Sequence, residues 1–127
     1  DLPGYSVFVR GQDGVVRAFS NSCRHRGARI VDGAGNCNVL RCPYHSWAYA
    51  PEGRLIAAPD MEDTLDFDKS KFGLVPIRLE VWGGFMFINF DSDAISLRDF
   101  LGDLIPNTES YGLDDMVCVR RKTYELA

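Results

Sequence analysis

Residues 20–58 read SNSCRHRGARIVDGAGNCNVLRCPYHSWAYAPEGRLIAA, and two short runs inside this stretch decide the reading of the chain. Cys23-Arg24-His25 is followed, after sixteen residues, by Cys42-Pro43-Tyr44-His45. Each run offers one thiolate and one imidazole, close enough in sequence for a single tight loop to present both. Two such loops facing each other supply two sulfur and two nitrogen ligands. That set suits one tetrahedral zinc. It also suits a [2Fe–2S] centre with both cysteines on one iron and both histidines on the other.

The order of the ligands favours the cluster. A zinc finger groups its cysteines together and its histidines together. Here each loop mixes them, as it must when each loop feeds two irons. Gly27 follows the first pair and Pro43 lies within the second. Small or rigid residues let backbone N–H groups come close to bridging sulfides. The chain has two histidines, and both fall in this pattern. A solitary histidine is usually structural or solvated, but two, each beside a cysteine at ligand spacing, are not explained that way.

Working outward, short strands with turn punctuation surround the loops. Tyr5–Arg10 and Val15–Ser20 are expected to pair across the turn Gly11–Gly14, with Asp13-Gly14 as its signal. Cys37–Cys42 is expected as a strand, Pro43–Ser46 as a loop, and Pro51–Arg54 as a turn between two further strand segments. Leu74–Trp82 and Phe85–Phe90 form a hairpin across Gly83-Gly84. The acidic stretch Pro59–Phe72 reads as a surface connection with a helical turn. Ser96 is placed to cap a short helix whose apolar stripe is Leu97, Phe100, Leu101 and Leu104. Val117–Leu126 reads as a final strand. The fold class is therefore all-β, mainly antiparallel, a small sandwich or barrel with two ligand loops and a short C-terminal helix. The expected division is 1–92 for the loop-bearing domain and 93–127 for a helix and strand leading toward a further domain.

Composition narrows the function. A length of 127 residues suits one domain with a real core. Hydrophobic residues at 46% and charged residues at 25% are ordinary for a soluble globular chain. A net charge of −4 argues against nucleic acid as a partner. No apolar run approaches the roughly 20 residues that span a bilayer, and there is no secretory signal pattern. A cytoplasmic location is expected. Four cysteines, Cys23, Cys37, Cys42 and Cys118, admit a disulfide framework, but the chain is too large and apolar to need staples. Cys37 and Cys118 read as small, partly buried residues. Asp1 is not Met, and the end RRKTYELA carries no stop signal, so a piece of a longer chain is expected.

The stretch from about Tyr5 to about Phe90, centred on the quoted motif, resembles the Rieske domain of the large (alpha) subunit of Rieske non-heme iron oxygenases. These include the aromatic-ring dioxygenases and the choline-monooxygenase-like members. The resemblance implies that Cys23 and Cys42 bind one iron and His25 and His45 the other. It implies one electron in from a reductase or ferredoxin, and one out to a mononuclear iron on a 2-His-1-carboxylate triad. This chain cannot build that triad, because both histidines are already assigned. It is thus expected to carry electrons and not to hydroxylate anything alone; the parent is expected to be a homo- or hetero-oligomer. Ser46 stands where the family commonly has glycine, and Arg24 where proline is common. The early strand material of such subunits is missing.

High-potential Rieske proteins carry an extra cysteine in each loop and a serine hydroxyl near a sulfide. Here those places hold Ala28, Tyr44 and Trp47. Hydrogen bonds to the sulfurs raise the potential, so a value near the low end of the Rieske range, about −150 mV, is expected. Reduction adds one negative charge, which should raise the imidazole pKa and make the potential fall at alkaline pH.

Arg24, Arg26 and Arg29 either steer an acidic partner or form a solvated rim. Tyr44, Trp47 and Tyr49 read mainly as packing. Glu62, Asp63, Asp66 and Asp68 read as a solvated face, and Phe85, Phe87 and Phe90 as core. Two other readings stay open: a stand-alone Rieske-type ferredoxin and a zinc-stabilised interaction module. A carrier should finish near Phe90, whereas this chain continues; zinc would leave the protein colourless and EPR-silent.

Overall fold

The computed structural model describes residues 4–125. The chain forms two compact units. One runs to Leu79 and takes in Ile88–Ser92; the other is Glu80–Phe87 with the chain from Asp93 onward.

The first unit holds the loops. Strands β1 (Ser6–Arg10) and β2 (Val16–Ser20) pair antiparallel, with Val7 opposite Phe19 and Val9 opposite Arg17. Val7 and Val9 are buried while Phe8 and Arg10 are exposed, the alternation a half-buried strand requires. The expected turn closes through Gly14 N–H donating to Gly11 O at 3.0 Å. Asp13 accepts from Val15 N and pairs with Arg17 at 2.6 Å. That Arg17 hydrogen bond, above all, lowers the Asp13 carboxyl to about 2. Strands β6 (Pro76–Trp82) and β7 (Phe85–Asn89) follow β2, giving the order β1-β2-β6-β7. Pro76 sits at the first position of its strand, where its missing N–H is tolerated.

A second sheet, β3 (Leu40–Arg41), β4 (Ala48–Tyr49) and β5 (Leu55–Ala57), is small and antiparallel. The strand expected over Cys37–Cys42 is only its last part. The turn Pro51–Arg54 ties this sheet to the first. Gly53, at φ +89°, has room for no side chain, since a Cβ there would stand 2.5 Å from Phe19 Cε1. Its carbonyl accepts from Leu74 N at 2.7 Å. The core between the sheets is built from Val7, Phe19, Ile30, Leu40, Leu55 and Leu74, with both Cys23 and Cys42 inside it.

In the second unit, Gly83 and Gly84 both take positive φ, as the two-residue hairpin requires. Ser96 caps α1 (Leu97–Leu101) as expected, accepting from Asp99 N at 3.0 Å, and the Glu80 carboxylate accepts from Leu97 N. Gly102, at φ +48°, ends the helix after five residues, and α2 (Leu104–Thr108) follows. Two single 3₁₀ turns, Glu109–Tyr111 and Leu113–Asp115, come next.

Three expectations are corrected here. The final strand over Val117–Leu126 is not formed: residues 117–125 make no ladder, and Leu126 lies outside the described residues. Strand-prone composition does not make a strand without a partner to pair with. Phe85, Phe87 and Phe90 are exposed and not core, as is Phe100 of the helix stripe. Cys37 and Cys118 are free and exposed, not partly buried.

Candidate metal centre

The two loops are built alike. In the first, Cys23 N donates to Ala28 O at 2.8 Å and Gly27 N donates back to Cys23 O at 2.8 Å. In the second, Cys42 N donates to Trp47 O at 2.8 Å and Ser46 N donates to Cys42 O at 3.1 Å. Each loop turns through a left-handed residue at the same place, Gly27 at φ +72° and Ser46 at φ +59°. Glycine takes that conformation freely, whereas a residue with a Cβ is strained there by roughly 1 kcal/mol. Ser46 is exposed, and its strain is not offset by burial. Ser46→Gly should therefore raise stability by about 1 kcal/mol in urea denaturation; a loss of stability would contradict the shared loop geometry.

The two imidazoles come together, and both thiols lie in one core cluster. Cys23 and Cys42 are buried at 3% and 2% exposure, while His25 and His45 are half-buried at the rim. The imidazole centroids lie 4.7 Å apart, edge to face. His25 stacks on Trp47 at 4.9 Å with the rings 9° from parallel, and His45 stacks on Tyr44 at 3.8 Å. Trp47 and Tyr49 are fully buried, as the packing reading held; Tyr44 is exposed.

The sequence reading missed the roof over Trp47. Phe67 and Phe72 pack on the indole at 5.7 and 5.9 Å, and Met61 joins the same cluster. These residues come from the acidic stretch expected as a surface connection with a helical turn, and the turn is the 3₁₀ segment Lys69–Phe72. The stretch's acids Glu62, Asp63, Asp66 and Asp68 are exposed as expected, and so is Leu65, but Met61, Phe67 and Phe72 turn inward. The usable signal was a run whose carboxylates are interrupted by Met and Phe at loop spacing.

Tyr49 does more than pack. Its hydroxyl accepts from Arg24 N at 3.0 Å and lies 3.2 Å from Cys23 Sγ. Having accepted from the amide, the hydroxyl has its own proton left to donate to the sulfur. Burial first, then the Cys23 contact, pushes the phenol pKa up, so the proton stays on. The sequence-based potential assumed no such bond, and that premise is corrected.

His25 decides the fit. Its Nδ1 is buried and has no hydrogen-bond partner among the described residues. An orphaned buried nitrogen costs about 1–3 kcal/mol unless something satisfies it. Burial, then the charge of His45, then Arg26, lowers its pKa, which favours the neutral imidazole that ligates metals. A [2Fe–2S] cluster needs only two protein ligands per iron, with sulfides supplying the rest. The donor set of two thiols and two imidazoles, with the orphaned His25 nitrogen, fits that group.

Comparison with known families agrees with the geometry: the family model described as Rieske [2Fe-2S] domain matches residues 4–77. The chain belongs to the Rieske [2Fe–2S] domain family. This Rieske domain is 48% identical over 99 residues to the carnitine monooxygenase oxygenase subunit of Escherichia coli K12, covering 77% of the chain and 26% of that protein. It is 41% identical to the glycine betaine monooxygenase oxygenase subunit of Pseudomonas aeruginosa PAO1, covering 86% of the chain and 25% of that protein. The chain thus spans about a quarter of the length of these relatives. Its structure superimposes on that of the quaternary ammonium Rieske monooxygenase CntA with a TM-score of 0.78 at 38% identity, covering 83% of this chain and 31% of that one. For naphthalene 1,2-dioxygenase from Rhodococcus sp. the TM-score is 0.73 at 37% identity, covering 78% and 23%. The all-β, mainly antiparallel class expected from the sequence is the observed one. Among the described residues no helix is long and apolar enough to cross a membrane.

Proposed function

We propose that this Rieske domain is the electron-transfer part of an oxygenase subunit, with Cys23 and Cys42 on one iron and His25 and His45 on the other. A [2Fe–2S] cluster bound there supplies one-electron redox chemistry. The observation that carries the reading is the asymmetry of burial: both thiols are in the core, while both imidazoles reach the rim. The buried side keeps water from the sulfurs. At the rim, each imidazole that spends one nitrogen on iron keeps an N–H for a partner.

The electron comes from a reductase or ferredoxin and leaves to a mononuclear iron held by residues other than these. Residues 14–51 hold one acidic residue, Asp32, in a chain of net charge −4. Arg24 and Arg26 are exposed beside His25, so an acidic donor is the partner this end favours. Asp32 pairs with Arg29 at 2.9 Å, which leaves Arg24 and Arg26 as the steering charges. The free thiols Cys37 and Cys118 fit a reducing, cytoplasmic setting.

Anaerobically purified chain should be brown, contain acid-labile sulfide and give a rhombic EPR signal on reduction. Cys42→Ser should abolish all three. A colourless, EPR-silent protein containing zinc would establish the interaction-module reading instead.

A further inference from the structure

The two loops are related by a shift of 19 positions, from Cys23 to Cys42. In the second loop the neck is closed by two ladder rungs, Arg41 opposite Ala48 and Leu40 opposite Tyr49. The first loop has the inner rung, the bridge of Ser22 with Arg29. The position of its outer rung is Asn21 against Ile30, and there the backbone is already committed elsewhere: Asn21 N donates to Tyr5 O at 2.9 Å, extending the β1–β2 pairing.

The Asn21 side chain takes the place of the missing rung. Its Oδ1 accepts from Ile30 N at 3.2 Å and from Val31 N at 2.9 Å. Its Nδ2 donates to Val31 O at 2.7 Å and to Gly4 O at 3.4 Å. The residue is 6% exposed, a buried polar group with both ends of its amide satisfied. The task needs an acceptor for two amide protons and a donor for a carbonyl on one short side chain. Aspartate offers only acceptors and alanine neither.

The geometry points to Asn21 as the positioning residue of the first loop. It locks the loop neck to the first sheet and so fixes Cys23 and His25 against their counterparts Cys42 and His45. This rests on the proposal that those four residues hold the cluster. Asn21 makes none of the ligand bonds itself; it acts through the backbone of Ile30 and Val31.

The test uses the loaded chain under anaerobic conditions and compares Asn21→Ala, Asn21→Asp and Asp13→Ala. Asp13 braces the tip of the same β1–β2 hairpin and touches neither loop. Asn21→Ala should bleach about tenfold faster than the parent, the scale on which outer-shell partners act, and should shift the EPR g values of the reduced form. Asn21→Asp keeps both acceptor positions and should fall between the two. Asp13→Ala should lower the thermal midpoint while keeping the parental g values and bleaching rate. Parental bleaching and g values in Asn21→Ala would overturn the inference, as would identical changes in Asn21→Ala and Asp13→Ala. Where Asn21→Ala fails to accumulate folded, parental g values in Asn21→Asp overturn it. A parent chain without labile sulfide would instead sink the cluster assignment underneath.

Discussion

Trp47→Ala should cost the fold about 4 kcal/mol, the upper part of the range for truncating a buried aromatic. The indole is 2% exposed and lies at a junction. One face carries His25 in parallel stacking, and its surroundings include Phe67 and Phe72, themselves 5.0 Å apart. Truncation removes the surface on which the His25 ring rests and the support of the acidic segment's two phenylalanines together. Trp47→Phe should behave differently. Trp47 Nε1 is buried without a partner among the described residues. Removing an unsatisfied donor relieves about 1–3 kcal/mol, which offsets much of the lost contact area. The phenyl variant should therefore lie within about 1.5 kcal/mol of the parent. Urea denaturation followed by circular dichroism measures both. Equal losses for the two variants would mean that the indole N–H has a partner, and a loss below about 1 kcal/mol for Trp47→Ala would remove Trp47 from the centre of the core.

What the sequence made legible was whatever is encoded locally. The Cys-x-His and Cys-x-x-His runs, the Asp13-Gly14 and Gly83-Gly84 turns and the Ser96 cap are short-range devices. Their signals are complete within a few residues, and both turns and the cap stand where the sequence placed them. The misses all depend on what lies across space. Phe67 and Phe72 sit among carboxylates, so their neighbours outweighed them; only the position of Trp47 shows why they turn inward. Val117 and Val119 have strand propensity, but a strand is made by its ladder partner, and both residues are exposed. The same holds for Phe85 and Phe90, whose apolar character says nothing about which face is covered. Asn21 carries no local signal of its role, because that role as a rung depends on Tyr5 having claimed its backbone.

Tyr49 is the miss with the largest consequence for chemistry, and Tyr49→Phe should lower the reduction potential by about 50 mV. The phenol lies 3.2 Å from Cys23 Sγ at a position with 0% exposure, where no water replaces it, and it is the donor once Cys23 is the thiolate that ligation requires. Reduction adds negative charge, and a more electron-rich sulfur accepts a stronger hydrogen bond. The bond therefore stabilises the reduced state more than the oxidised one. A differential of about 1 kcal/mol, within the net worth of such bonds, corresponds to somewhat less than the ~59 mV of a tenfold change for one electron. The same bond should lift the parent above the about −150 mV expected for a Rieske centre with no side-chain donor on its sulfurs. Stability should fall too, by about 1–2 kcal/mol, because the phenyl ring leaves Arg24 N–H without its acceptor. Tyr44→Phe is the control: its ring is exposed and stacks on His45 at 3.8 Å, so its potential should stay at the parental value. Protein-film voltammetry on the three chains separates the outcomes. If Tyr49→Phe and the parent agree within about 10 mV, the hydroxyl's proton is not on the sulfur and Tyr49 is packing alone. If Tyr44→Phe shifts instead, the tuning lies on the imidazole side, and it is His45, not Cys23, through which this fold sets the energy of its electron.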